Sequence, residues 1–470
     1  MRSEQAFDII VLGAGSGGLN IASFMNTAGF RVLLVDKSEE TIGGDCLNFG
    51  CVPSKALIHV ARLVSEAKEA GRFGLNVTGA VDMSAVREYI SSKIETIRQH
   101  ENRQYFEKAG MTVVIGTAAF ASRNSVVVNG NTYSAEKIVL ATGSRPRQLS
   151  VPGIEQATVY TNESLFSIDT LPKNLLVVGG GPIGIELGQA LSQLGSSVTF
   201  VVKESRILSR EDVEVASVLQ SKMEQEGCTF YFNANLQAIE NGTVAVLETT
   251  SGTERVSFDA VLVAIGRELE TKELNLDAAN IKLDERGKIV VDKYLRTTNK
   301  NVLVCGDIAG QHQFTHAAEL HAGVIIRNFF NPFKKKLRTD SLSWVTYTTP
   351  EIATFGLSET ELKRRRTAYR VLEDSFEHDD RAIVDETTAG LAKLFVSPNG
   401  ILLGGTMVAK NAGELIQELI LAQSEGMNIS ALFNKTYPYP TASRINKRVV
   451  TQAYRNKLTP LVKKIFKLLY

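Results

Sequence analysis

Two stretches of the chain share one order of apolar and polar positions. In residues 7–36, an apolar run from Ile9 to Leu12 meets a glycine-rich turn, and a helix-like pattern and a second apolar run follow, ending at Asp36. An apolar run bounded by glycine indicates a buried strand, and apolar residues at helical spacing indicate a packed helix. The order therefore predicts a strand, a turn, a helix and a second strand.

The turn in this stretch has the spacing Gly13-x-Gly15-x-x-Gly18. Such glycines allow a tight turn and let a pyrophosphate approach the backbone at the start of a helix. An acidic residue about 20 positions further on, here Asp36, suits a ribose hydroxyl. Together these features predict a dinucleotide site, and we include the neighbouring Lys37 in it.

The same pattern recurs in residues 175–203. The glycines of the second turn are Gly179, Gly181 and Gly184. Two dinucleotide sites in one chain suggest two cofactors that exchange electrons.

The acidic residue is absent from the second stretch, where Val202 takes the place of Asp36, and the cations Lys203, Arg206 and Arg210 follow. An acid would repel a 2′-phosphate, whereas lysine and arginine attract it. This predicts NADPH at the second site, with NADH still open. The alternative is that these are solvated surface charges, since Glu204 and Glu211 weaken the basic patch.

Two further patterns lie outside the repeated stretches. Residues 81–109 predict one long polar helix, and the runs 392–396 and 401–408 predict strands.

Composition narrows the classes of function. The 470 residues are 44% hydrophobic and 22% charged, which suits a globular protein, and the formal net charge of +1 gives no electrostatic case for a nucleic-acid partner. There is no run of about 18 apolar residues, and the first residues run directly into a strand pattern without a signal-peptide layout. We therefore expect a cytoplasmic protein.

Two of the four cysteines, Cys46 and Cys51, are five positions apart. A metal site would need two more ligands at suitable spacing, and none lies nearby in the sequence, so we expect no metal site. A close pair in a cytosolic protein is more often redox-active, and a helix that begins near it, together with the cation of Lys55, would favour a thiolate. The isolated Cys228 and Cys305 are expected to be small buried residues.

Four further motifs are GGDCLNFGCVPSK, Ala141-Thr142-Gly143-Ser144-Arg145-Pro146, Ala264-Ile265-Gly266-Arg267 and Val304-Cys305-Gly306-Asp307. Through these motifs and the doubled glycine turn, the chain resembles the FAD-dependent pyridine nucleotide-disulfide oxidoreductases, which include lipoamide dehydrogenase, glutathione reductase and mercuric reductase. The resemblance covers essentially the whole chain.

The resemblance implies an α/β fold with two Rossmann-like three-layer domains, one for FAD and one for NAD(P)H, and a C-terminal α+β dimerisation domain. The implied boundaries are 1–150 and 273–340 for the FAD domain, 151–272 for the NAD(P)H domain and 341–470 for the interface domain. A homodimer is therefore expected.

The resemblance also implies roles for single residues. Cys46 would meet the substrate, Cys51 would lie beside the flavin, and Lys55 would lie near the flavin and pair with Glu186. Asp307 would hold the ribityl chain of the flavin. The further positions implied to contact the cofactors are Gly44, Asp45, Ala141, Thr142, Gly143, Gly266, Arg267, Gly306 and Ala317.

The chain departs from part of the family near its C-terminus. Lipoamide dehydrogenase and glutathione reductase carry a histidine and a glutamate there, and this chain has Tyr439 and Arg444. Tyrosine is a poor base near neutral pH, so we expect an acceptor that demands little of a protein base: a thiol-bound metal ion, an oxidised sulfur species or a quinone. Mercuric reductases share the tyrosine but have a C-terminal cysteine pair, whereas no cysteine follows Cys305 here.

Three interpretations of the function stay open. The first is a mercuric reductase-like enzyme that reduces a small-molecule acceptor, and the second is a dihydrolipoamide dehydrogenase-like enzyme. The third is a membrane-associated flavin module for electron transfer or redox sensing. Residues 456–470 predict a short basic amphipathic helix, which could contact a membrane surface, a membrane protein, or its own subunit or dimer.

Overall fold

The computed structural model describes residues 5–455 and 460–470. The α-helices are α1 Ser16–Thr27, α2 Gly44–Asn48, α3 Cys51–Glu69, α4 Met83–Arg98, α5 Arg103–Lys108, α6 Pro182–Leu194, α7 Val213–Gln225, α8 Thr315–Phe330, α9 Glu359–Arg364, α10 Asp380–Val384, α11 Ala412–Leu415, α12 Gln417–Ser424, α13 Ser430–Asn434, α14 Arg444–Arg455 and α15 Pro460–Leu469. Short 3-10 helices lie at Ala70–Phe73, Ile154–Gln156, Leu165–Ser167, Lys272–Leu274, Leu276–Ala279, Gly306–Ala309 and Phe376–His378.

The strands, in chain order, are β1 Gln5–Leu12, β2 Val32–Asp36, β3 Thr112–Ile115, β4 Ala118–Phe120, β5 Ser125–Val128, β6 Asn131–Leu140, β7 Ser144–Pro146, β8 Val159–Tyr160, β9 Asn174–Val178, β10 Ser197–Val202, β11 Thr229–Phe232, β12 Asn235–Glu240, β13 Val244–Thr249, β14 Gly252–Ser257, β15 Ala260–Val263, β16 Arg267–Leu269, β17 Val302–Val304, β18 Ser343–Thr346, β19 Glu351–Gly356, β20 Arg370–Ser375, β21 Leu391–Val396 and β22 Leu402–Ala409.

The chain divides into two compact units. The described parts of the first unit lie within Met1–Leu63, Ala67–Pro172 and Ala260–Leu337. Those of the second lie within Val64–Glu66, Lys173–Asp259 and Arg338–Tyr470.

The first unit is built on a sheet with the order β3-β2-β1-β6-β5-β4, and β17 also pairs with β6. The pairs β1–β2, β2–β3, β1–β6 and β6–β17 are parallel, and β4 and β5 add antiparallel strands at one side. The strands of a parallel sheet are buried on both faces, which explains why the sequences of β1 and β2 contain continuous apolar runs.

The two faces of this sheet bury separate cores. Ile9 and Val11 belong to a cluster with residues of α1 and α8, whereas Ile10 and Leu12 belong to a cluster with β4, β5 and residues 274–308. Successive side chains of a strand point to opposite faces, so one apolar run supplies both cores.

Helices α1 and α8 pack closely through small residues. A Cβ on Gly17 would lie 2.6 Å from the Sγ of Cys305, which is 1% exposed and donates a hydrogen bond to the carbonyl oxygen of Ala318. Cys228, in the second unit, is also buried. The prediction that both are small buried residues is confirmed.

The region predicted as one long helix is divided in two. Helix α4 ends at Arg98 and α5 begins at Arg103. The side chain of Asn102 accepts a hydrogen bond from the backbone N–H of Tyr105 and so caps a new helix. Asparagine is among the best N-cap residues, and this local bond competes with continuation of the helix. The prediction of a single helix over 81–109 was wrong.

Strands of three sheets lie in the second unit. Strands β9, β10 and β11 are parallel, β12, β13 and β14 form an antiparallel sheet, and the third has the antiparallel order β18-β19-β22-β21-β20. The strands predicted at 392–396 and 401–408 are confirmed as β21 and β22.

The predicted fold class, α/β units with a C-terminal α+β domain, is confirmed. The four predicted domain segments stay a prediction. In the described parts of the chain, every helix is too short or too polar to cross a membrane.

Candidate functional site

The first glycine turn is shaped by close backbone approaches. Gly13 has φ +105°, and a Cβ on it would lie 2.3 Å from the carbonyl oxygen of Ala141. A Cβ on Gly18 would lie 2.0 Å from the carbonyl oxygen of Gly13, because α1 begins directly against the turn. Gly15 is the N-cap of α1. The free N–H groups at a helix start and the positive end of its dipole suit a pyrophosphate.

Asp36 lies buried at the end of β2. Its carboxylate accepts hydrogen bonds from the N–H of Ala14 (2.6 Å), from the N–H of Lys37 (2.8 Å) and from the hydroxyl of Thr41. An ionised carboxylate has about four acceptor positions, so one remains for a ribose hydroxyl. The side chain of Lys37 is exposed, with its Nζ 3.9 Å from Glu270.

The start of α2 approaches the start of α1. Gly44 has φ +67°, and a Cβ on it would lie 2.6 Å from the Cα of Gly15. The segment Ala141-Thr142-Gly143 follows β6, where the N–H of Ala141 bonds to Leu12 and the hydroxyl of Thr142 bonds to the carbonyl of Glu270. The turns at the ends of β1 and β6 are therefore tied together.

A buried arginine links two acidic residues of the predicted site. The Nη2 of Arg267 lies 3.0 Å from Asp45, its Nε lies 3.9 Å from Asp307, and its side chain is 9% exposed. The same guanidinium donates to the carbonyl and hydroxyl oxygens of Ser144, and this hydroxyl donates to Asp307 at 2.5 Å. Burial raises the pKa of Asp307, while Ser144 and Arg267 oppose that rise.

Cys46 and Cys51 are unbonded thiols on adjacent helices, with Cys51 the first residue of α3. The Cys46 thiol donates a hydrogen bond to the Cys51 sulfur, which lies 3.3 Å from the hydroxyl of Thr315. The hydrogen bond from Cys46 is the main cause that lowers the pKa of Cys51 to about 6, and Thr315 and the charge of Lys55 add to it.

The same hydrogen bond raises the pKa of Cys46 far above its usual value, and burial raises it further. The pair therefore shares one proton near neutral pH, held on Cys46, with the negative charge on Cys51. A thiolate at a helix N-terminus is also stabilised by the helix dipole.

Helix α8 begins at Thr315, and Ala317 is buried in its first turn. Nearby, the N–H of Gly306 bonds to the Nδ1 of the buried His321 (3.2 Å). This bond fixes the backbone before Asp307. Burial lowers the pKa of His321 to about 4, so it is neutral and able to accept the bond.

The second glycine turn connects β9 to α6. Gly179 has φ +122°, Gly181 is the N-cap, and Gly184 is buried in the first turn of α6. A Cβ on Gly180 would lie 2.6 Å from a methyl group of Val202. The position held by an acid in the first stretch is thus filled by an apolar contact. Gly266 lies in the first unit, with φ +105°, and a Cβ on it would enter open space.

The loop after β10 is organised by Arg206. Its guanidinium donates four hydrogen bonds of 2.7–3.3 Å to the backbone carbonyls of Ile207, Leu208, Ser209 and Glu211. Lys203 on the same loop is exposed. Lys203 is therefore accessible to a ligand, whereas most of the hydrogen bonds of the Arg206 guanidinium go to the backbone of its own loop.

Glu186 is buried on α6, and its carboxylate accepts a hydrogen bond from the N–H of Tyr347 (2.8 Å). Its pairing with Lys55 stays a prediction.

Tyr439 and Arg444 lie in the second unit. The Tyr439 side chain is 67% exposed, and the Cζ of Arg444 lies 5.2 Å from its ring centroid, within the range of a cation–π contact. Both line a cleft of about 230 Å³ together with Arg381, His378 and Arg448. The described residues contain no group of three or more His, Cys, Asp or Glu side chains that could hold a metal ion.

The residues of the first unit fit FAD. Two glycine positions leave room only for backbone, a buried carboxylate keeps a free acceptor position, and a dithiol lies at the start of a helix. Ser144, Thr315 and His321 complete this arrangement and were not predicted as site residues. Ser144 lies within the motif that begins at Ala141, and Thr315 lies two positions before the predicted Ala317, so both offered a weak signal.

Comparisons with known proteins agree with this interpretation. A family model described as "Pyridine nucleotide-disulphide oxidoreductase" matches residues 7–322, and the dimerisation domain of the same family matches 342–449. The mercuric reductase of Streptomyces lividans is 33% identical over 455 residues, which cover 94% of this chain and 95% of that protein. The dihydrolipoyl dehydrogenase of Mycoplasma genitalium is 30% identical over 448 residues, which cover 93% and 96%.

A solved structure is also similar. The Cu(II) complex of the HOCl-induced flavoprotein disulfide reductase RclA from Escherichia coli matches with a TM-score of 0.84 and 25% identity, over 95% of this chain and 99% of that one.

The fold and the site define a class of flavoenzymes that couple a nicotinamide coenzyme to a cysteine pair. The chain belongs to the pyridine nucleotide-disulfide oxidoreductase family, whose members are oxidoreductases that depend on FAD and use NAD(P)H. Its C-terminal part is the dimerisation domain of that family.

Proposed function

We propose that the chain passes electrons from NADPH, through FAD and the Cys46–Cys51 pair, to a small external acceptor. The observation that carries the proposal is the hydrogen-bonded dithiol at the start of α3, with the pKa of Cys51 lowered to about 6. When bound, FAD supplies the chemistry between a hydride donor and a sulfur pair.

The residues of the chain hold the charge and the proton of this pair. Thr315 and Lys55 stabilise a thiolate on Cys51, and the proton stays on Cys46. Cys46 is the outer thiol in this proposal, and it must lose its proton before it attacks an acceptor.

That requirement limits the acceptor. Tyr439 is the side chain that could contact the cysteine pair in place of a histidine, and a tyrosine is a weak base near neutral pH. Arg444, which lies over its ring, is not a base at all. An acceptor that brings its own thiolate can take the proton from Cys46 itself. We therefore propose a thiolate-bound metal ion or an oxidised sulfur species, in line with the names of the mercuric reductase relatives. The dihydrolipoamide dehydrogenase-like alternative would need a better base.

The preference for NADPH over NADH rests on the loop after β10. Lys203 is exposed there, and Val202 replaces the acid that would repel a phosphate. Glu211 is buried and accepts hydrogen bonds from Trp344 (2.6 Å) and Thr354 (2.7 Å), whereas Glu204 is exposed next to Lys203 and reduces the positive charge there.

We also propose that two copies associate through the dimerisation domain and that Tyr439 of one subunit faces the thiols of the other. The high exposure of Tyr439 in the single chain supports this arrangement.

The test is anaerobic titration of the flavin-loaded protein with NADPH, followed by turnover with Hg(II) bound to cysteine and, separately, with glutathione disulfide. Cys46→Ser should abolish reduction of the acceptor but leave reduction of the flavin by NADPH intact. The matched control is Cys228→Ser, which changes a buried thiol of the second unit and should turn over normally.

Wild-type protein should take up two pairs of electrons from NADPH before the flavin is fully bleached, and Cys46→Ser should take up one. Normal turnover of both acceptors by Cys46→Ser would remove the dithiol from the electron path.

A further inference from the structure

Helix α15 is a short helix with no buried residue. The exposed fractions of Leu461, Phe466 and Leu468 are 68%, 57% and 86%. Apolar side chains of this size are rarely exposed together without a partner. Four of the residues in the predicted tail, 456–459, lie outside the described part of the chain.

The helix has two chemically distinct faces. At about 100° per residue, its six largest apolar side chains fall within an arc of roughly 160°. The opposite face carries Lys463, Lys464 and Lys467 and no acidic residue. This combination of an apolar arc and a lysine face is typical of helices that lie in the plane of a membrane interface.

The surrounding sequence adds to the positive charge. Residues 444–470 contain eight of the 52 lysines and arginines of the chain and none of its 51 acidic residues. The remainder of the chain is therefore net negative, although the whole chain has a formal charge of only +1. Positive charge is concentrated at the end that carries the exposed apolar arc.

We propose that α15 docks on an anionic phospholipid surface. Its apolar arc enters the boundary between headgroups and acyl chains, and its three lysines contact lipid phosphates. The proposal goes beyond the redox function, because it assigns α15 a role in localising the chain and no role in the reaction.

The charges favour lipid over a second copy of the helix. Two copies packed through their apolar arcs would bring two sets of three lysines together, and like charges at close range repel. An anionic bilayer satisfies the lysines and the apolar arc at the same time. An acidic protein would satisfy the charges as well, and the test separates it from lipid.

The experiment is co-sedimentation of the flavin-loaded full chain with vesicles of phosphatidylcholine, with or without about 30% phosphatidylglycerol. We expect binding to the anionic vesicles, at least tenfold weaker binding to pure phosphatidylcholine, and loss of binding in about 0.5 M NaCl because the surface charges are screened.

Two sets of variants separate the lysines from the apolar arc. Replacing Lys463, Lys464 and Lys467 by glutamine should weaken vesicle binding by roughly a hundredfold. Phe466→Ser together with Leu469→Ser should also abolish it, although every lysine remains. The matched control replaces the exposed Lys334, Lys335 and Lys336 by glutamine, which changes the net charge equally and should leave binding intact.

Reduction of the flavin by NADPH should be unchanged in all of these variants, which shows that they fold. Failure of the wild type to bind anionic vesicles at low salt would overturn the proposal, whether or not an acidic protein is then found to bind. A change of oligomeric state on deletion of residues 460–470, measured by sedimentation velocity, would assign α15 to the dimer instead and would also overturn it.

Discussion

Cys51 carries the negative charge of the dithiol because three features act on one sulfur atom. The Cys46 thiol donates to it, the hydroxyl of Thr315 lies 3.3 Å away, and Lys55 adds a positive charge. Since the pKa of Cys51 is lowered to about 6, the thiolate is present above that pH and is lost as the pH falls through it.

Thr315→Val should therefore move the titration of Cys51 upward by about one pH unit, because a hydrogen bond to a charged group is lost. The measurement is the pH dependence of the long-wavelength absorbance that a thiolate produces beside oxidised flavin, in protein reduced by one pair of electrons.

Thr315→Ser is the matched control, since it keeps the hydroxyl and should titrate like the wild type. An unchanged midpoint in Thr315→Val would show that the hydroxyl does not stabilise the thiolate.

At the scale of the element, the loop after β10 has two cationic residues with different roles: one stabilises the loop and the other is free to contact a coenzyme. Lys203 and Arg206 were both predicted to bind the coenzyme, and their cationic side chains give no reason to distinguish them. In the structure, Arg206 donates hydrogen bonds to four backbone carbonyls of its own loop, and Lys203 is exposed. Such bonds depend on the path of the loop, including φ +46° at Leu208, which the sequence does not indicate.

Lys203→Gln should raise the KM for NADPH several-fold and leave the KM for NADH unchanged, because only NADPH has a 2′-phosphate to lose contact with. Arg206→Met should instead lower the free energy of unfolding by roughly 2–3 kcal/mol, because the backbone carbonyls of the loop lose a charged donor. It should also raise the KM for both NADPH and NADH. The measurements are coenzyme kinetics and chemical unfolding.

Arg210→Gln is a control for loop stability, since Arg210 is exposed and its loss should leave the unfolding free energy nearly unchanged. An equal rise of the KM for NADPH and the KM for NADH in Lys203→Gln would contradict a contact between Lys203 and the 2′-phosphate.

The elements that the sequence predicted well are those set by local sterics and periodicity. Both glycine turns, α1, α6, β21 and β22 follow from glycine spacing and apolar runs. The contact of Thr315 with Cys51 joins residues 264 positions apart, and no local pattern could predict it. The break between α4 and α5 was missed because one capping side chain outweighed a continuous polar periodicity.

At the scale of the whole molecule, the proposed dimer places residues of one site on two chains. The structure of one chain shows the thiols in the first unit and Tyr439, largely exposed, in the second. The family match to the dimerisation domain implies association, whereas the crossing of Tyr439 to the other subunit is our proposal.

Mixing of two inactive variants tests that crossing. If Cys46→Ser and Tyr439→Ala each abolish reduction of the acceptor, equal mixing with subunit exchange should restore at most about a quarter of wild-type activity, since half of the dimers would hold one intact site of two. The measurement is acceptor turnover before and after exchange.

No recovery in spite of proven exchange would mean that Tyr439 acts within its own chain. A mixture of Cys46→Ser with Cys51→Ser serves as the control, because both defects lie in the same pair and exchange should restore nothing.

The burial of the two remaining cysteines has a practical consequence. Burial raises the pKa of Cys228 to about 11 and that of Cys305 to about 12, so both stay protonated and sheltered at neutral pH. An alkylating reagent added to the native protein should therefore modify only the Cys46–Cys51 pair, and only when that pair is reduced. Mass spectrometry of protein trapped in this way would report the oxidation state of the pair inside a cell, undisturbed by the other thiols.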